Sequence, residues 1–199
     1  MERIPSKGRV EEIHDLSVKI EEVLSLLYNA FIYSREAFLH EAAMIIKEIK
    51  RRERELTEYL ISMSDRDETA RLYAPIPSHL GRIAGNLELM HRAVETKVKE
   101  NLLFSDKAVS EMNFLFNRTK EVITNLSDLL LARNRFLANY IIESEKEIEH
   151  TANEFATLHE ERLIEGLCLP KSSGVYVMIV DSIKRIVWNA KEIAEKLVK

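Results

Sequence analysis

The sequence is poor in residues that make turns and cross-links: its 199 positions hold five glycines, four prolines and one cysteine. A sandwich or barrel needs a chain break roughly every 8–12 residues, so this composition argues against an all-β fold. The lone Cys168 excludes a disulfide framework and any Cys-x-x-Cys site. The longest wholly apolar run, residues 175–180, falls far short of the roughly 20 residues that cross a bilayer. Residues 1–5 lack the apolar core of a signal segment, so a cytoplasmic protein is expected. An excess of positive charge is missing too. The 29 Lys and Arg face 33 Asp and Glu, a net charge of −4, which argues against broad attraction to nucleic acid. Neither a Gly-x-x-x-x-Gly-Lys phosphate loop nor a dinucleotide fingerprint occurs. Cys168 has His159 as its nearest histidine in sequence, but no third orienting group at a recognisable spacing, so it reads as a structural thiol. No enzyme is expected.

What is present is helical periodicity. Val10, Ile13, Leu16, Ile20, Val23, Leu24, Leu27 and Phe31 recur at the spacing of one helix face, with charged residues between them, and predict a helix over 9–33. A second is expected over 34–61, where 47–58 is nearly all charge except Ile49 and Leu56. Residues 62–69 read as a loop with a cap at Asp67, and Pro75 and Pro77 forbid a regular helix interior there. The third helix runs from 77 along Leu80, Ile83, Leu87, Met90, Val94 and Val98. The fourth starts at Ser105-Asp106, a fifth covers 134–164, and a sixth follows a break over 166–174. The basic cluster Lys50-Arg51-Arg52-Glu53-Arg54 reads as a solvated face, with docking onto anionic lipid or an acidic loop as the alternative.

The chain also looks duplicated. Tyr73, Ile76, Arg82, Ile83 and Asn86 recur 103 positions later as Tyr176, Ile179, Arg185, Ile186 and Asn189. Upstream the offset is 99: Lys47-Glu48-Ile49 recurs as Lys146-Glu147-Ile148, and Glu55 as Glu154. The change of offset requires four extra residues in the second loop. The expectation is an all-α protein of two antiparallel three-helix repeats packed side by side, covering 9–102 and 105–199.

The segment from Asp181 to Glu195 resembles the closing helix of the PhoU family, whose repeat ends close to D-L-E-R-I-G-D-H-A-x-N-I-A-E. Arg185, Ile186, Ala190, Ile193, Ala194 and Glu195 match in register, and Leu80, Arg82 and Ile83 give a weaker match in the first half. The resemblance implies a regulator of inorganic phosphate uptake, an adaptor that contacts a phosphate transporter component or a sensor kinase without catalysis. Peripheral membrane association would then run through the transporter, and a homo-oligomer is compatible with it.

Many members of that family bind metal through an acidic pair at i and i+4 of this helix, a spacing that puts both carboxylates on one face. Here those positions are Gly81 and Gly85 in the first half, Lys184 and Trp188 in the second. Glycine has no ligand, an ammonium repels a cation and an indole cannot coordinate one, so neither metal nor other cofactor is expected. The altered face reads instead as a protein contact surface, with Gly81 and Gly85 allowing close approach and Trp188 as anchor. The alternative is that Trp188 packs inside its own subunit.

Two rivals complete the picture. Glu88 with His91, and Glu147 with His150, have the Glu-x-x-His spacing of a ferritin-like di-iron bundle. They fall on non-equivalent helices, and His150 lies about 200° round its helix from Ile148, away from the apolar stripe. The other rival is a structural oligomerising module.

Overall fold

A computed structural model describes residues 6–198. Residues 1–5, read above for a signal core, and Lys199, the end of the second expected repeat, lie outside the described residues. Among the described residues there are seven helices: α1 (Ser6–Tyr33), α2 (Glu36–Met63), α3 (Glu68–Tyr73), α4 (Ile76–Lys99), α5 (Asp106–Ala132), α6 (Arg135–Ile164) and α7 (Pro170–Leu197). Six are long, in the places the periodicity predicts, and no strand occurs among them.

The expected loop over 62–69 is shorter than expected, and this is the main correction. Asp67 does cap, its carboxylate accepting from the Ala70 amide at 3.1 Å, but the helix it starts is the six-residue α3. Pro75 and Pro77 then force a restart at α4. The second half has no such interruption. Pro170 sits in the first turn of α7, where a missing N–H costs nothing, so Ser172, Ser173 and Gly174 are helical rather than part of a break. Helix α2 begins at Glu36, not at 34, because Ser34 takes a left-handed backbone with φ 52°.

The two halves turn their first corner alike. Ser34 is followed by an extended Arg35 (φ −108°, ψ 120°), and Arg133 (φ 47°) by an extended Asn134 (φ −87°, ψ 123°). These residues stand 99 apart, the offset at which α2 and α6 share sequence. Asn134 adds a cap, accepting from the Phe136 amide at 2.8 Å.

Within the first half α1, α2 and α4 pack on one another, and within the second α5, α6 and α7 do the same. The halves join through α1 against α5 and α4 against α7. The first seam is apolar at its centre apart from the fully buried Ser17, whose hydroxyl accepts from Ser127 at 2.9 Å, and at its edges Tyr28 donates to Asn113 Oδ1 at 3.1 Å and Lys120 pairs with Glu21. In the second, the ring of His79 bonds Asn189 Oδ1 at 3.1 Å, while Asn86 lines one cavity with Ser182. An antiparallel crossing centred on Arg82-Ile83 and Arg185-Ile186 makes both pairings. The core runs continuously through both halves. On α2 the charged stretch contributes only Ile49 and Leu56 to it, as read from the sequence.

Candidate functional site

The outer face of the α4–α7 crossing gathers the residues singled out from the sequence. Leu80, Ile83, Leu87, Ile183, Ile186 and Ala190 point inward and are fully buried. The helical period therefore turns Arg82, Arg185 and Trp188 outward. Asn86 and Asn189 each donate from Nδ2 at 2.8 Å to the carbonyl four residues earlier, that of Arg82 and of Arg185 respectively. The two guanidinium groups are exposed and form no ion pair among the described residues.

Trp188 is 42 % exposed and lines a groove of about 450 Å³ with Arg82, Arg185, Glu145 and Glu149. The last two come from α6, which Lys184 fastens to α7 through a 2.7 Å bond to Asn153 Oδ1. Lys191 holds its ammonium 5.8 Å from the centre of the indole and pairs with Glu192 and Glu195. Glu145 is the unusual member. Only 6 % exposed, its carboxylate takes no hydrogen bond and no ion pair among the described residues, and burial pushes its carboxyl above the ordinary range. Sequence reasoning missed it, although position 145 continues the stripe Ile141, Ile148 and Ala152, where a carboxylate is out of place.

Gly81 and Gly85 part company. A Cβ at Gly81 would stand 2.9 Å from Cδ of Glu53, so this bare face already receives a side chain of α2. At Gly85 a Cβ would meet nothing within 4 Å, which leaves its face open. Of the residues read as a contact surface, Gly85 and Trp188 are open to solvent, whereas Gly81 serves packing inside the chain.

The four residues of the di-iron alternative are each engaged elsewhere. Glu88 accepts from Lys50, and from Arg92 at 3.2 Å, and these bonds hold its carboxyl below the usual range. Nε2 of His91 donates to the Leu39 carbonyl at 2.9 Å, Glu147 takes Arg118 at 2.7 Å, and His150 is exposed beside Glu154. Among the described residues no group of three or more His, Cys, Asp or Glu is placed to hold a metal ion. The basic cluster is largely neutralised, since Lys50 pairs with Glu88, Arg51 with Glu55, and Arg52 with Asp15 and Glu48. Cys168 is a half-buried free thiol.

The second half hides a polar cluster that the sequence did not announce. Arg162 clasps Glu111 with bonds of 3.0 and 2.7 Å, and Tyr176 donates to the same carboxylate at 2.6 Å. His159 stacks on Tyr176 with ring centres 4.0 Å apart and bonds Ser173 through Nε2 at 2.9 Å. The five side chains come from α5, α6 and α7, so the cluster ties those helices together at one end.

The arrangement of six long helices is similar to solved structures. The crystal structure of PhoU from Pseudomonas aeruginosa superposes with a TM-score of 0.84 at 15 % identity, covering 97 % of this chain and 93 % of that one. The phosphate transport system regulatory protein PhoU from Streptococcus pneumoniae gives 0.83 at 14 %, with the same coverage. The chain has a PhoU-like fold. No family model matches the sequence, and neither does any curated protein. On this PhoU-like frame the positions that the resemblance assigns to acidic pairs are the ones described above, two glycines on α4 and Lys184 with Trp188 on α7. No helix among the described residues is long and apolar enough to cross a membrane.

Proposed function

We propose that this chain regulates inorganic phosphate uptake as an adaptor, docking on a phosphate transporter component or a sensor kinase and acting through contact rather than catalysis. The observation that carries this reading is the PhoU-like fold along nearly the whole chain, matched to two PhoU structures, one of them described as a phosphate transport system regulatory protein. The sequence motif ending at Glu195 supports it independently. The halves 9–102 and 105–199 are read as copies of one three-helix unit. Their like-shaped corners at Ser34 and Arg133 and the paired bonds of Asn86 and Asn189 support that.

Measuring phosphate uptake in cells with and without the chain tests the reading. Cells lacking it should keep high uptake when phosphate is plentiful, and re-expression should restore the repression. Uptake indifferent to the chain in both phosphate conditions contradicts the reading.

A further inference from the structure

We infer that the α4–α7 groove docks a protein segment of stated charge pattern: an acidic side chain seated between Arg82 and Arg185, and, about one helical turn away, a lysine or arginine seated at Trp188, Glu145 and Glu149. The inference rests on the reading of this chain as a docking protein and names what its contact face takes.

Four features of the groove converge. Arg82 and Arg185 leave their guanidinium groups exposed and unpaired at the centre of the crossing, at the two sites that repeat 103 residues apart. Guanidinium is the donor best matched to a carboxylate, which it can hold with two parallel bonds. Glu145 presents the opposite need. The residue is 6 % exposed and its carboxylate, attracted by Lys191 only at longer range, takes no hydrogen bond or close ion pair among the described residues, so a cation or donor from outside would supply a direct partner. Glu149 follows four residues later on the same face of α6 and doubles the negative charge at that end. Trp188 supplies the third feature, an indole ring beside those carboxylates, and indole is the best aromatic partner for an ammonium or guanidinium. The chain's own Lys191 already lies 5.8 Å from this ring, with its charge answered by Glu192 and Glu195.

The fourth feature fixes direction. Trp188 lies one turn beyond Arg185 on α7, so the positive and negative ends of the groove are separated by about a turn, roughly 5 Å. On the other side of Arg185, Val177 and Met178 with Leu89 of α4 are each about two-fifths exposed and line the adjoining hollow with Asn86. A helical segment laid along α7 therefore meets apolar surface edged by Asp181, then the positive charge of Arg82 and Arg185, then, past Lys184 with its ammonium held by Asn153, the carboxylates of Glu145 and Glu149 beside an indole. Its own face must read apolar, acidic, basic, which is the helix-in-groove mode with charge complementarity choosing the orientation.

Trp188 is the chain's one tryptophan, so its fluorescence reports occupancy of the groove directly. The test titrates the full chain with two synthetic helical peptides of identical composition. One carries leucines, then a glutamate, then a lysine four residues later. The other has the glutamate and lysine exchanged. The first should change the emission saturably and bind at least tenfold tighter than the second, and added salt should weaken it. In the variant Arg82→Glu with Arg185→Glu both ends of the groove are acidic, so the preference for the first peptide should be lost, with circular dichroism checking that the helices remain. Equal binding of both peptides, or no response to either, overturns the inference. Phosphate uptake control by the chain is a separate readout: if it holds while the peptides fail, the docking face lies elsewhere and the regulatory reading stands.

Discussion

The two halves reach one helical layout by different polar means. In the first, the ion pairs stay near the surface, with Arg52 spanning from α2 to Asp15 of α1, Lys19 to Glu48, and Lys50 to Glu88 of α4, while Lys97, a buried cation, donates to the Ser34 hydroxyl at 2.8 Å. In the second, charge goes inside, where Glu111 is 1 % exposed in its side chain and is satisfied by Arg162 and Tyr176. The equivalent tyrosine of the first half, Tyr73, donates instead to a neutral acceptor, the Leu130 carbonyl at 2.6 Å. A buried polar position thus tolerates different chemistry where its charged or hydroxyl oxygen finds a partner, even though Nε of Arg162 and Nδ1 of His159 are buried without one among the described residues. The apolar stripes set the layout, and the polar groups set how sharply each half responds to change.

The largest difference is expected at the ion pairs. Arg162→Ala strands the Glu111 carboxylate in the interior and should cost about 3–5 kcal/mol of unfolding free energy, whereas Arg52→Ala, at an exposed pair, should cost less than about 1 kcal/mol. Urea unfolding of both variants measures it, and equal losses would break the contrast. The tyrosines come next. Tyr176→Phe removes a bond to a charged group and should cost roughly 1.5–3 kcal/mol, against about 1 kcal/mol for Tyr73→Phe.

A pH effect follows from two histidines held below the ordinary imidazole range, first of all by burial. His79 lies in the α4–α7 seam and His159 in the buried cluster. The unfolded chain takes up protons at these sites near pH 6.5, while the folded chain does so only at lower pH. Their contribution is therefore fully present above about pH 6.5 and is lost as pH falls toward the folded values. Unfolding free energies at pH 7.5 and 5.5 should show a decline that His159→Phe reduces. A decline of unchanged size in that variant would assign the effect to other groups. The smallest effect separates the two glycines. Gly85→Ala meets open space inside a helix and should stabilise by up to about 1 kcal/mol, and Gly81→Ala by less, because the Glu53 side chain must move aside.

Helix placement was readable because apolar spacing decides it, and the caps at Asp67 and Ser105 carry their own chemistry, whereas the cap at Asn134 emerged only from its bond to the Phe136 amide. The short α3 was not readable: six residues are too few to display a period. The altered positions 81, 85, 184 and 188 could be named from the motif, yet only coordinates separate the occupied face of Gly81 from the open one of Gly85. Arg82 and Arg185 stood out as markers of repetition, and their convergence in one groove depends on how α4 crosses α7. Glu145 and the Glu111 cluster draw partners, or the lack of them, from distant segments, information that local spacing does not hold.

The proposed function has this PhoU-like chain act by docking onto the phosphate transport machinery. The most direct measurement cross-links the chain in intact cells grown with ample or scarce phosphate and identifies the joined proteins by mass spectrometry. A phosphate transporter subunit or a sensor kinase is expected among them, joined in amounts that change with phosphate supply. Recovery of neither in either condition would contradict the proposed function.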